Sequence, residues 1–212
     1  MRLDRRALLG GLASLPLAGR PAGANEFYPV PVELIADLDR LQGSVRLGAA
    51  QPDITLYEFF DYNCGFCRRT ARDIRPLLEA NRDLAIVLVN YAVLGIPSIG
   101  ATRVALAFSR QRAERYLAFH EQLFQQRGVI GAEQAIAVAQ RNGAERARLL
   151  ADADSDPVTA AMRAASRLGQ QLGFVATPSY LVGRDGFAGF LDRAAKQAAI
   201  DAFRRCERAV CG

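Results

Sequence analysis

The chain is 212 residues long, half hydrophobic and 23% charged, enough for one domain with a buried core and not the composition of a disordered chain. Its formal charge of +5 gathers at the start: residues 1–24 hold Arg2, Arg5, Arg6 and Arg20 against Asp4, which leaves about +2 for the rest. That remainder gives no reason to invoke nucleic acid, and the near-absence of lysine, with Lys196 alone, reads as a compositional bias.

Residues 1–24 read as an export signal. Arg5-Arg6 precede the apolar run Ala7–Ala18, and Ala22-Gly23-Ala24 offers a small-residue cleavage site. The run is shorter than the roughly 20 apolar residues that span a bilayer, and Gly and Pro interrupt it. Asp4-Arg5-Arg6-Ala7-Leu8-Leu9 resembles a twin-arginine signal, with a general secretory signal as the alternative. Either one delivers the rest of the chain to the periplasm of a Gram-negative bacterium. There its four cysteines, Cys64, Cys67, Cys206 and Cys211, meet conditions in which disulfides persist.

Residues 25–43 form a separate segment. Val32, Ile35, Leu38 and Leu41 make an apolar stripe between Pro31 and Gly43, which predicts a short amphipathic helix. The stripe packs either on its own domain or on a second subunit, so residues 31–43 are a candidate oligomer contact. A short strand is predicted at Ser44–Leu47, and a strong one at Ile54–Phe60, rich in β-branched and aromatic residues. The loop Asp61-Tyr62-Asn63 leads to Cys64, and a helix then runs to about Asn81 with Ala71, Ile74, Leu77 and Leu78 inward. Leu84–Val89 is nearly all apolar, as in a central strand covered on both faces. Helices are predicted at 99–127, 131–142, 144–153 and 157–172, then strands at Ser179–Val182 and Phe187–Phe190, and a last helix at about Leu191–Ala209. Strand–helix–strand implies a parallel pair, and the tight turn Gly183–Gly186 implies an antiparallel one. The class is therefore α/β, with an all-helical subdomain inserted at about 97–173 into a domain spanning 44–212.

Cys64-Gly65-Phe66-Cys67 carries the chemistry. Three-residue spacing on a helix sets the side chains about 5–6 Å apart, close enough to bond. Cys64 at the helix N-terminus meets unpaired N–H groups and the positive end of the dipole, both favouring a thiolate. The roles follow: Cys64 exchanges with a client and Cys67 resolves the mixed disulfide. A zinc site is the competing reading, but Cys206, Cys211 and His120 lie at no usual zinc spacing. His120 shares a face with Tyr116 and Leu117 and reads as packing. Cys206 and Cys211 would be about 7.5 Å apart along a continuous helix, so they bond only if the helix ends near Ala209. A local structural disulfide is the favoured reading, a second exchange pair the other.

The stretch Glu58-Phe59-Phe60-Asp61-Tyr62-Asn63-Cys64-Gly65-Phe66-Cys67-Arg68-Arg69 resembles the active site of the DsbA-like branch of the thioredoxin superfamily, in particular periplasmic DsbA/ScsC-type proteins. The likeness covers roughly residues 44–205 and implies a thioredoxin-like fold with an inserted helical subdomain. It further implies that Thr177-Pro178 form a cis-proline loop binding the client backbone, and that Glu58 is the acid beneath the active site. The alternatives are a trans-proline opening a strand and an acid facing solvent. Inside an apolar strand an ionised Glu58 is costly unless paired; burial raising its pKa would suit proton exchange with Cys67.

The expected function is forming or exchanging disulfides in exported proteins, with no organic cofactor and no metal, coupled to a membrane redox partner. Phe66 offers Cys64 no side-chain donor, so the pair is expected to be less oxidising than family members with His there. Two alternatives use the same cysteines: an oligomeric isomerase or reductase kept reduced by a membrane partner, and a Cu(I)-handling protein.

Overall fold

The computed structural model describes residues 26–212, so the predicted export signal, residues 1–24, lies outside the described residues. Six strands form one mixed sheet in the order β1-β6-β5-β3-β4-β2. They are β1 (Tyr28–Pro29), β2 (Val45–Gly48), β3 (Ile54–Phe60), β4 (Leu84–Asn90), β5 (Ser179–Val182) and β6 (Asp185–Ala188). β3 and β4 are parallel, as the intervening helix requires, while β5 and β6 form an antiparallel hairpin. β2 adds antiparallel to β4, and β1 adds antiparallel to β6. The hairpin turn is tighter than the sequence suggests. Gly183 opens it at φ 58°, and a Cβ there would sit 2.3 Å from the Phe203 ring, so β6 resumes at Asp185.

Helices cover both faces. Alternation along β3 sends Leu56 and Phe60 toward α2 (Gly65–Thr70), α3 (Ile74–Ala80) and α9 (Arg193–Cys206). Tyr57 and Phe59 point the other way, onto α1 (Val32–Asp39) and α8 (Asp156–Gln171). Glu58 lies between Leu56 and Phe60 in that alternation, so it faces α2 and α9, not solvent. β4 alternates likewise, with Ile86 and Leu88 in one core and Val87 and Val89 in the other, which explains its unbroken apolar run.

Most of the stripe of α1 packs on its own domain. Leu38 is buried, and Leu34 and Ile35 pack beside Ala165 and Leu168 of α8. Of the stripe expected to serve as an oligomer contact through residues 31–43, Leu38 and Leu41 are buried in the domain, Ile35 is half-buried and Val32 is exposed. With β1 joined to the sheet edge, residues 26–43 are built into the same body as the rest.

Within the insertion expected over about 97–173 lie α4 (Ile96–Gln111), α5 (Tyr116–Phe124), α6 (Ala132–Arg141), α7 (Arg146–Ala153) and α8, the last of which packs through Ala165 and Leu168 on the other face of the sheet. Core residues of α4 to α7, among them Val104, Phe108, Phe119 and Leu149, continue the cluster on the α2 face. Two predicted helices are broken. The one expected over 99–127 ends at Arg112, where φ is −143°, and a 3-10 turn at Ala113–Arg115 leads into α5. The break lets Phe119 stack on Phe108 with centroids 4.4 Å apart; no Gly or Pro marks it in the sequence. The one expected from Cys64 to Asn81 passes through a 3-10 turn at Ala71–Asp73. Pro76 accounts for that, since its ring crowds the carbonyl four residues back, at Arg72.

Candidate active site

Cys64 is the N-cap of α2, and its sulfur accepts the Cys67 backbone N–H at 3.2 Å. As a thiol, Cys64 donates to the Thr177 carbonyl at 3.1 Å. Both cysteines are free, Cys64 6% exposed and Cys67 1%. A hydrogen bond from the Cys67 thiol lowers the Cys64 pKa most, to about 6; burial opposes this, and the Thr177 side chain and the N–H groups of Cys67 and Phe66 assist. Burial pushes the Cys67 thiol well up, with the Cys64 sulfur adding to it. One sulfur is set to ionise near neutrality and its neighbour to hold its proton, which is the division a nucleophile and a resolving thiol require. Alkylation of the reduced protein is expected to follow a midpoint near pH 6, slowing below it as the thiolate protonates, against about 8.5 for an ordinary cysteine. Following thiolate absorbance with pH checks this; a midpoint above about 8 would contradict it.

The loop before Cys64 hangs on a hub that sequence reading missed. The buried Asp61 carboxylate accepts from the backbone N–H groups of Asn63, Val93 and Leu94 and from the Ser98 hydroxyl, at 2.7–2.9 Å. Asn63 in turn exchanges hydrogen bonds with both backbone groups of Ile130. The two side chains tie the loop to the inserted helices. A buried carboxylate with four donors is stable where an unpaired one is not. The signal was present as Asp-Tyr-Asn ahead of a helix, a pattern common to ordinary turns.

Thr177-Pro178 is a cis peptide. The Ser179 hydroxyl donates to the Ala176 carbonyl and the Gly189 N–H to the Pro178 carbonyl, which fixes the loop beside Cys64.

Glu58 is 2% exposed and accepts from the Thr70 hydroxyl at 2.6 Å. Its second oxygen faces Lys196 Nζ at 3.9 Å, and Lys196, 1% exposed, also donates to Asp73 at 3.0 Å. The ammonium lies 5.3 Å from the Tyr180 ring centroid. Lys196 reads in the sequence as part of a compositional bias, yet it is buried beneath the dithiol. The clue was its place on the inward stripe of α9 with Ala199 and Ile200, where a cation needs partners.

His120 packs among Phe60, Tyr62 and Phe124, its Nδ1 3.3 Å from the Tyr62 hydroxyl, and burial pushes its pKa down to about 3. No group of three metal-ligating side chains assembles among the described residues. Cys206 ends α9, Glu207 turns left-handed at φ 56°, and Cys206 and Cys211 are bonded with Cα atoms 6.0 Å apart. The closed loop seats Arg208 and the Ala209 N–H on the buried Asp185 carboxylate.

Residues 55–201 match the family model of the DSBA-like thioredoxin domain. Among solved structures, a thioredoxin-like oxidoreductase from Silicibacter pomeroyi is 33% identical, with TM-score 0.74 over 80% of this chain and 97% of that one. A periplasmic thioredoxin-like protein from Salmonella enterica serovar Typhimurium is 25% identical, with TM-score 0.72 over 82% and 97%. The thiol-disulfide exchange protein alpha-DsbA2 from Wolbachia pipientis, 20% identical with TM-score 0.72 over 81% and 94%, shares the fold. No curated protein gives a significant match. With the family model spanning more than half of its length, the chain belongs to the DSBA-like thioredoxin family and is a thiol–disulfide oxidoreductase.

Proposed function

We propose that the protein forms or exchanges disulfides in exported proteins through Cys64 and Cys67, in the periplasm, with residues 1–24 as its export signal. The observation carrying this reading is the convergence on one sulfur of a helix N-terminus, the Cys67 N–H and the Thr177 carbonyl. In the oxidising direction a client thiolate attacks Cys64 Sγ, the Cys64–Cys67 bond breaks, and Cys67 leaves as a thiolate that takes a proton. A second client thiolate then attacks the client sulfur of the mixed disulfide and expels the Cys64 thiolate. The client loses two electrons and the protein gains them; a membrane redox partner removes them again. The reverse sequence reduces a client through the same intermediate.

Thr177 and Pro178 supply the client's backbone contact. Exposed Leu94, Ile96, Ile99, Val129 and Val175 supply apolar surface for a segment not yet folded. Glu58, held by Thr70 and Lys196, exchanges a proton with Cys67 as that sulfur alternates between bonded and free. Cys206–Cys211 is structural.

Equilibration of the mature protein with glutathione buffers tests this. One two-electron couple is expected, more reducing than the roughly −120 mV of the strongest oxidase because the Phe66 side chain offers Cys64 no donor. Replacing Cys206 and Cys211 together by Ser should leave the potential unchanged while lowering stability by about 2 kcal/mol, the value for so short a loop. A second couple, or none at Cys64–Cys67, would overturn the assignment.

A further inference from the structure

Phe66 is 51% exposed, an unusual place for a large ring unless something uses it. Its ring lies 5.5 Å from that of Phe190, which follows β6. The guanidinium of Arg69 covers both, 4.7 Å from the Phe66 centroid and 4.4 Å from the Phe190 centroid. Phe66 and Arg69 are one helical turn apart, so the geometry follows from their spacing on α2 once Phe190 arrives from the hairpin.

Of the neighbours of Arg69, Arg68 donates to the Gln126 carbonyl and Arg75 pairs with Glu121. Arg69 is exposed and pairs with no carboxylate among the described residues. Both rings lie against the guanidinium, and the side chain is exposed to solvent. A guanidinium fixed in this way loses little further freedom on binding, and its fork matches a carboxylate. Charge, geometry and pre-organisation thus all favour one ligand class.

We propose that Arg69, held over the rings of Phe66 and Phe190, is a carboxylate-recognition site that favours client segments bearing an Asp or Glu near the exchanging cysteine. This rests on the exchange function proposed above and specifies its substrate class. Arg69 lies five residues beyond Cys64, about 7.5 Å along the helix axis. An extended client covers that distance in roughly two or three residues, so the preferred acid stands that far from the client cysteine. The contact acts on docking and adds no step to the sulfur chemistry.

Three dithiol peptides, identical except for Asp, Asn or Lys two residues from a cysteine, test the idea with oxidised full-length mature protein and kcat/KM as the readout. The Asp peptide is expected to be roughly tenfold better than the Lys peptide, a preference shrinking in about 0.5 M salt. Reading the ratio within each variant removes differences in overall activity. Arg69→Gln should bring it near unity and Arg69→Glu should invert it. Arg72→Gln, which removes a neighbouring exposed charge, should keep it within about twofold of the original. No charge preference in the unmodified protein, or the same preference in Arg69→Gln, overturns the assignment. A preference lost equally in Arg72→Gln also does so, because a diffuse basic field would then explain it. If the Asn peptide is not exchanged either, the exchange function itself fails, an outcome distinct from exchange without selectivity.

Discussion

Cys64→Ala is expected to lower insulin reduction and peptide oxidation by on the order of a thousandfold or more. Two effects combine in that figure. The remaining thiol, Cys67, is held mostly protonated at neutral pH because burial raises its pKa. It is also only 1% exposed, so a client sulfur cannot approach it in line. Cys67→Ala stops the cycle one step later. Cys64 keeps its place at the N-cap and still attacks client disulfides, but no resolving thiol follows, so mixed disulfides accumulate and are visible by mass spectrometry of the intact adduct. Its Cys64 should also titrate higher, since the Cys67 thiol is the largest cause of the lowered pKa. Cys64→Ala retaining more than a few per cent of activity would remove it from the nucleophile's role. Cys67→Ala turning over repeatedly without adducts would remove Cys67 from the resolving one.

Lys196→Met is expected to destabilise the protein by about 3–5 kcal/mol, the range for removing one member of a buried pair. The methionine fills nearly the same space, so the loss comes from leaving Glu58 at 2% exposure with Thr70 as its remaining partner. Glu58→Gln should cost less, because Lys196 keeps Asp73 at 3.0 Å. The double variant Glu58→Gln/Lys196→Met removes the buried acid and its buried cation together and should recover most of the loss, which urea unfolding measures directly. Kinetics separates structure from proton transfer. If Glu58 exchanges protons with Cys67, both Glu58 variants should resolve mixed disulfides on the order of tenfold to a hundredfold more slowly. Their resolution step should also lose its normal pH dependence. A Lys196→Met protein as stable as the original would sink the coupling. Unchanged resolution in Glu58→Gln would sink the proton role while leaving the structural one.

Both predictions concern residues that differ greatly in how visible they are in the sequence. Cys64 and Cys67 are legible because their chemistry is local: the spacing and helix position that define them lie within four residues. The parallel β3–β4 pair and the β5–β6 hairpin are legible for a similar reason, since the length of each connection dictates strand direction. Helix breaks at Arg112 and at Ala71–Asp73 are less so. The first serves a stacking contact between Phe108 and Phe119 with no local marker. The second was marked by Pro76, whose effect reaches a full turn backwards.

The partners of Glu58 were out of reach. Lys196 is 138 positions away, on the last helix, and the two meet because alternation on β3 and the inward stripe of α9 face the same core. Asp61 with Ser98, and Phe66 with Phe190, are pairs of the same kind. Each is set by how elements pack, and many long-range pairings are consistent with one pattern of elements.

The sequence by itself determined the dithiol, its exchange chemistry and the α/β class with a helical insertion, because periodicity and spacing act over a few residues. Only the tertiary structure decided which charges meet beneath that dithiol, that most of the stripe of α1 packs on its own domain, and that Arg69 lies over two aromatic rings. Burial, desolvation and long-range pairing depend on the whole packed core, and no local stretch of sequence specifies that alone.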